Sequence, residues 1–357
     1  MFCATVRCAM AKQCFEVKKY SYTQHDITEE DIKAISDVLA NEKDISGTSR
    51  IVARFEEALC EYTGYKYAIA MNSCTSALLT AYSALKQTGK ISASFVSMPA
   101  LTFVATMNAA ILSGLNVVIR DINYNTLTMD NLDVGVSYAG HPVKAKLIND
   151  DAHRLYRNMA DDNTSLVSCI STHPAKHITT GEGGALLTND CDIYTVVKKL
   201  YNHARNNYIG EFPAYNFRMP AINAALGLSQ MKRLDAMQQR RNEIAAFYTK
   251  AFSELHENNV ALLPNIVSNH AWHLYVLRIQ NNRDKVKEDL DDIGIHCQIH
   301  YPPLTHHYSG KKIIDTGIPA AEYAYRTSLS IPMHSLLTNS DLAFISEKVY
   351  ETISRHS

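Results

Sequence analysis

The run Lys-His-Ile-Thr-Thr-Gly-Glu-Gly-Gly at 176–184 constrains this chain more than any other stretch. Ser171, His173 and Pro174 precede it, and the short apolar strand Ala-Leu-Leu-Thr follows it. A lysine is thereby held between a serine-bearing strand and a glycine-rich turn. Burial at such a place tunes an amine to react with an aldehyde cofactor near neutral pH. The glycines let backbone approach a bulky, flat ligand. A surface lysine ahead of a flexible turn also fits these residues, and the string alone leaves both readings open.

The segments around this lysine predict an α/β architecture. Thr28 caps a helix that continues to Leu39, and Ile51 to Tyr62 is a second amphipathic helix. Tyr67–Met71, Ser94–Met98 and Val117–Arg120 read as strands, alternating with helices over Ser76–Leu85 and Thr106–Ser113. This alternation implies a mainly parallel sheet flanked by helices. After Met219-Pro220 a single long helical pattern runs to about Phe252. Trp272 to Ile279 alternates like a strand, Lys285–Ile293 is helical, and Ser340–Ser354 closes the chain as a helix. We expect an N-terminal extension at 1–16, a large α/β domain at 17–235 and a smaller α+β domain at 236–357.

Composition excludes several classes of partner. At 46% hydrophobic residues, 357 residues bury an ample core. The 35 basic and 36 acidic residues leave a net charge of -1, so no basic field exists to hold nucleic acid or an anionic membrane. No apolar run approaches a membrane span. The cysteines at 3, 8, 14, 60, 74, 169, 191 and 297 form no Cys-x-x-Cys pair. Scattered thiols without a signal-like leader predict a reducing compartment and a cytoplasmic protein.

The string STHPAKHITTGEGGALLTND closely resembles the cofactor-lysine segment of the DegT/DnrJ/StrS family of pyridoxal-phosphate (PLP) aminotransferases, which act on nucleotide-linked keto sugars. Ile170 and Thr172 stand at its usual aromatic places. The resemblance spans about residues 17 to 350. It implies PLP fold type I, the aspartate-aminotransferase-like architecture, with Lys176 as the catalytic lysine. MNSCTSALLTAYSAL is similar to the family's Asn-Ser-Gly-Thr-Ala-Ala-Leu helix start, which assigns Thr75 and Ser76 to the cofactor phosphate, with Cys74 at the common glycine. A helix N-terminus suits phosphate on its own account. Phe103, in MPALTFVATMN, falls where an aromatic ring covers the cofactor pyridine. LINDDAHRL resembles Ile-Glu-Asp-Ala-Ala-His, which assigns Asp150 to the pyridinium nitrogen and His153 to the neighbourhood of the ring hydroxyl. Asn149 stands where glutamate is usual, and the spacing to His153 favours Asp150 over Asp151. Ser171 matches a phosphate-binding serine. Asn216, in Tyr-Asn-Phe-Arg-Met, matches an asparagine that reaches the neighbouring subunit's cofactor, which implies a homodimer with shared sites.

In GIHCQIHYPPLTHHY, a metal site competes with a substrate site. The spacing fits no common zinc pattern and two prolines interrupt it, so we expect no metal. The resemblance instead puts His300 and Tyr301 near the sugar, with Thr305 replacing a usual histidine. The closest likeness is to 4-aminotransferases of UDP-4-keto-6-deoxy sugars of the pseudaminic-acid type. It implies a nucleotide-sugar substrate and an amino-acid donor, glutamate by family habit.

One region departs from the pattern. Strands predicted at Val134–Tyr138 and Lys146–Asn149 leave only Ala139–Ala145 between them. A parallel crossover needs roughly a dozen residues or more. A helix is therefore missing, and the sheet pairing there is expected to be altered. The stretch from Arg154 to Ser165 is also short. These deletions motivate an alternative, a non-catalytic or regulatory protein on a trimmed scaffold. A sugar dehydratase, another alternative, carries histidine in place of the lysine.

Overall fold

The computed structural model describes residues 19–206, 209–307, 310 and 312–357. The expected extension at 1–16 lies outside them. Two neighbouring sheets are built from β1 (Tyr67–Met71), β2 (Phe95–Pro99), β3 (Asn116–Arg120), β4 (Val134–Val136), β5 (Ile148–Asp151), β6 (Val167–Ser171) and β7 (Gly184–Thr188): β1, β7, β6, β5 and β4 pair in that order, and β2 pairs with β3 separately. β4, β5 and β6 pair in parallel, as do β2 and β3, while β7 runs antiparallel to β6 and β1. Between β2 and β4 side chains bridge the two sheets. Ser97 N and Oγ donate to Asp133 Oδ2 at 2.8 and 2.7 Å, and Asp133 N donates to Ser97 Oγ at 3.0 Å.

Alternate residues feed two cores, because successive strand side chains point to opposite faces. Ile69, Met71 and Leu186 join the core beneath α3 (Cys74–Gln87) and α4 (Ala105–Leu112). Ala68, Ala70, Ala185 and Leu187 join the core that includes Phe55 and Leu59 of the helix Arg50–Thr63. A third core gathers Tyr248, Trp272, Tyr275, Leu329, Ile345 and Val349 around an antiparallel sheet of 261–262, 275–279 and 328–331. The chain then returns to the β2–β3 sheet, where Ile313–Asp315 pairs in parallel with β3.

Two expectations need correction. The long helix after Pro220 is two helices, Ala221–Met231 and Leu234–Ala251. They part at Arg233, whose guanidinium donates to Asp26 Oδ2 at 2.7 Å and to the buried Asp31 Oδ2 at 2.6 Å. Tying that side chain to the start of the helix Glu29–Asn41 turns the backbone.

The second correction concerns the short crossover. The helix is absent as expected, yet β4 and β5 keep a parallel ladder, Val134 facing Ile148 and Val136 facing Asp150. The chain leaves β4 through one 3-10 turn, Tyr138–Gly140, and returns without a helix. It passes over Gly135, where a Cβ would sit 3.0 Å from Val143 Cγ1 and 3.1 Å from Ala145 Cβ. Asn149 secures the returning chain. Its Nδ2 donates to Val143 O at 2.9 Å and its Oδ1 accepts from Ala145 N at 3.1 Å.

Replacing Asn149 by leucine should leave one buried N–H and one buried C=O unpaired. At ~1–3 kcal/mol each, the loss should be about 2–6 kcal/mol. Urea unfolding measures it, and an unmoved midpoint would mean that other contacts hold the crossover.

Candidate active site

Parallel strands place their C-terminal ends along one edge of the sheet, where open α/β sheets take ligands. A cavity of about 330 Å³ opens there. That suits one small cofactor, at the lower end of the usual pocket range of roughly 300–1,000 Å³. Thr75, Phe103, Asp150, His153, Ser171, Lys176, His300 and Tyr301 all line it.

At one end lies the start of α3. Ser73 caps this helix, its Oγ accepting from Ser76 N at 3.1 Å. Ser73, Cys74 and Thr75 face the cavity. Ser76 does not line it; its hydroxyl donates to Asn72 Oδ1 at 2.7 Å. Gly184 packs directly under this turn, since a Cβ there would lie 2.5 Å from Cys74 N. The lysine loop and the helix start are therefore in backbone contact.

At the other end stands Asp150. Its Oδ2 accepts from Thr106 Oγ1 at 2.7 Å and its Oδ1 from Ala152 N at 3.1 Å. Burial pushes this carboxyl above the usual carboxylate range, against those two hydrogen bonds. Asp151 points elsewhere, accepting from Ser137 Oγ at 2.5 Å and Ser168 Oγ at 2.6 Å. Two adjacent aspartates thus take opposite faces of β5, one toward the cavity and one into the sheet's packing.

His153 is buried between these parts. Ala139 N donates to its Nδ1 at 3.3 Å, and its Nε2 lies 3.0 Å from Tyr301 Oη. Burial and the nearby Lys176 charge hold it well below the ordinary histidine value, so it is neutral. With Nδ1 accepting, Nε2 carries the proton and donates to Tyr301. His300 Nδ1 lies 2.9 Å from Ser330 Oγ, and Tyr138 Oη donates to the His300 carbonyl. Phe103 is 57% exposed, its ring centroid 5.6 Å from that of Tyr301.

Lys176 sits between the two ends. Burial lowers its pKa from 10.5 to about 8, with Cys74 and Asp150 acting weakly the other way. Its Nζ lies 3.5 Å from His273 Nε2. His273 was not singled out from sequence, because in Trp-His-Leu-Tyr it reads as one residue of a strand. Ser73 was likewise missed, though a serine opening a helix at this edge was a usable signal. Asn216 lies outside its own chain's cavity, exposed, in a bridge with Asn202.

The donor set fits pyridoxal 5′-phosphate. A buried carboxylate raised by desolvation suits a protonated ring nitrogen. A helix N-terminus with hydroxyls suits a phosphate, and a desolvated amine suits an aldehyde. Among the described residues, no group of three or more His, Cys, Asp or Glu is placed to hold a metal ion, and no helix is long and apolar enough to cross a membrane.

The sequence matches the DegT/DnrJ/EryC1/StrS aminotransferase family over residues 25–137 and 139–350. The UDP-4-amino-4,6-dideoxy-N-acetyl-beta-L-altrosamine transaminase of Helicobacter pylori is 31% identical over 372 aligned positions, covering 94% of this chain and 98% of the relative. Those 372 positions exceed this chain's 357 residues, so the relative carries segments absent here. The solved Helicobacter pylori PseC, an aminotransferase of pseudoaminic acid biosynthesis, superposes with a TM-score of 0.82 at 28% identity, over 95% of this chain and 100% of that one. A GDP-4-keto-6-deoxymannose-3-dehydratase reaches a TM-score of 0.83 at 19% identity, over 92% and 100%. The fold is thus shared by proteins of different chemistries.

Reaction with an aldehyde needs the free base, so its pH dependence should report the lowered pKa. The rate at which pyridoxal phosphate absorbance shifts on mixing should climb through about pH 8 and level off above it. A Lys176→Arg variant supplies the background. A rate still rising at pH 10, as for an ordinary lysine near 10.4, would show an exposed amine.

Proposed function

The chain belongs to the DegT/DnrJ/EryC1/StrS aminotransferase family, and we propose that it moves an amino group from an amino acid, glutamate by family habit, to a nucleotide-linked 4-keto-6-deoxy sugar. The observation that carries this reading is one cavity shared by the buried Lys176 amine, the Asp150 carboxylate and the start of α3. Pyridoxal 5′-phosphate, when bound, supplies an aldehyde carbon and an electron-withdrawing ring.

The protein's own groups do the rest. Ser73, Thr75, Ser171 and the α3 N-terminus would bind the phosphate, with Ser76 bracing that turn through Asn72. Asp150 would keep a proton at the ring nitrogen, and Phe103 would cover one ring face. His153 would lie by the ring hydroxyl, its donation to Tyr301 leaving the Tyr301 O–H free to donate into the cavity. Lys176 Nζ would take a proton from the donor's α-carbon and return it to the carbon two atoms away, beyond the intervening nitrogen, then reverse the transfer for the sugar. His300 and Tyr301 would face the sugar. Lysine at 176 speaks against the dehydratase reading. The deletions that suggested a non-catalytic protein leave Asp150 and His153 on one cavity with Lys176.

We further propose a cytoplasmic homodimer with shared sites. Ile32 and Leu39, 51% and 59% exposed on the helix Glu29–Asn41, offer an apolar face to a second copy. The exposure of Asn216 outside its own cavity supports its reaching a partner's.

With pyridoxal phosphate and glutamate, the protein should aminate at least one of a set of UDP-, dTDP- and GDP-linked 4-keto sugars, read as product mass. Lys176→Ala should remove turnover; near-normal amination by that variant would sink the assignment. Mixed Lys176→Ala and Asn216→Ala chains should recover toward about a quarter of wild-type activity under random exchange, because one site of each mixed dimer is intact. Absence of rescue despite proven exchange would refute shared sites.

A further inference from the structure

We propose that His273 is a positioning residue for Lys176: its Nε2–H donates to the lysine amine and holds it as a free base directed into the cavity. The inference rests on Lys176 being the reacting amine.

The argument begins with where His273 can keep its proton. The ring is fully buried, with Nε2 3.5 Å from Lys176 Nζ. Nδ1 is buried and has no hydrogen-bond partner. A buried N–H without an acceptor is the rarer and costlier orphan, compared with a bare lone pair. The single proton of the neutral imidazole therefore belongs on Nε2, facing the lysine. A neutral amine has a lone pair to accept it, whereas an ammonium has none. Protonating Lys176 would drive the histidine proton to Nδ1, where nothing receives it. The pair thus resists protonation of the amine in a way that desolvation alone does not supply.

The surroundings keep His273 neutral. Burial is the main cause; His153 and His177 lie with ring centroids 4.3 and 5.7 Å from its own, and Arg241 adds positive charge. Cys74 and Asp150 face the amine from α3 and β5. His177 is occupied, its Nε2 lying 2.8 Å from Ala271 O.

The ring is also fixed in place. Arg241 Nη1 donates to the carbonyls of Trp272 at 3.0 Å, His273 at 3.4 Å and Met333 at 3.0 Å. Ala271 N donates to Gly140 O at 2.8 Å and Leu274 N to Ala139 O at 3.2 Å. The short crossover is thus one of the walls that aim His273 at the lysine.

Two measurements on the full-length protein, stripped of cofactor, test this. In histidine labelled with nitrogen-15 and held well above pH 8, where the amine is the free base, the His273 resonances, assigned by their loss in His273→Gln, should show the Nε2–H tautomer. An Nδ1–H tautomer overturns the proposal. In lysine labelled at Cε with carbon-13, Lys176 should titrate near pH 8 in the wild type. In His273→Gln, the amide oxygen can accept from an ammonium without any tautomer change. The Lys176 pKa should then rise by about one unit, which is about tenfold less free base at neutral pH. An unmoved pKa in the folded variant overturns the proposal. Should the variant fail to fold, the wild-type tautomer decides alone. If both results hold but pyridoxal phosphate never attaches to Lys176, the functional reading fails and this inference stands.

Discussion

Removal of one amine from water organises this site. The buried Lys176 has no carboxylate within ion-pairing distance among the described residues. Its charged form is therefore poorly supported, and the same low-dielectric setting governs its neighbours. His153, His177, His273 and His300 are all pushed down by burial, and the Lys176 charge adds to each. A site crowded with basic groups thus carries little positive charge of its own. Each imidazole is left with one donor and one acceptor, so hydrogen-bond direction becomes a structural property. Asp150 is the complementary case. Its carboxyl is raised by burial while Thr106 and Ala152 stabilise its ionised form, which leaves it suited to a cationic ring nitrogen.

Most of the cavity was legible in sequence because its residues cluster in short motifs at strand ends. Strand ends are read easily: an apolar run stops and polar residues follow. The family resemblance, through the spacing to His153, favours Asp150 over Asp151, and period-two alternation puts the two on opposite faces. His273 was not legible. Its signal is a histidine within an alternating apolar segment, and nothing local says that the segment passes behind a lysine almost a hundred positions earlier. The break at Arg233 was hidden for a similar reason, since the helical periodicity continues through it. Only the distant Asp26 and Asp31 show why the chain turns there.

The short crossover shows how a sheet can lose a helix and keep its register. A helix between parallel strands covers apolar surface and returns the chain to the same edge. Here a turn and a strip of chain laid over Gly135 do both, and Asn149 supplies hydrogen bonds that the strip cannot make for itself. The strip also gains neighbours within the site. Ala139 faces His153 with its N–H and the 271–274 segment with its carbonyl.

The pairing of Ile313–Asp315 with β3 bears on how the protein is made. Chains grow from the N-terminus, and N-terminal units generally fold first during synthesis. On the ribosome, β3 therefore waits as an open edge, a template for unwanted pairing, until its last neighbour emerges. His273, His300 and Tyr301 arrive in the same late portion. A nascent chain thus displays Lys176 and the start of α3 well before the groups that wall them in.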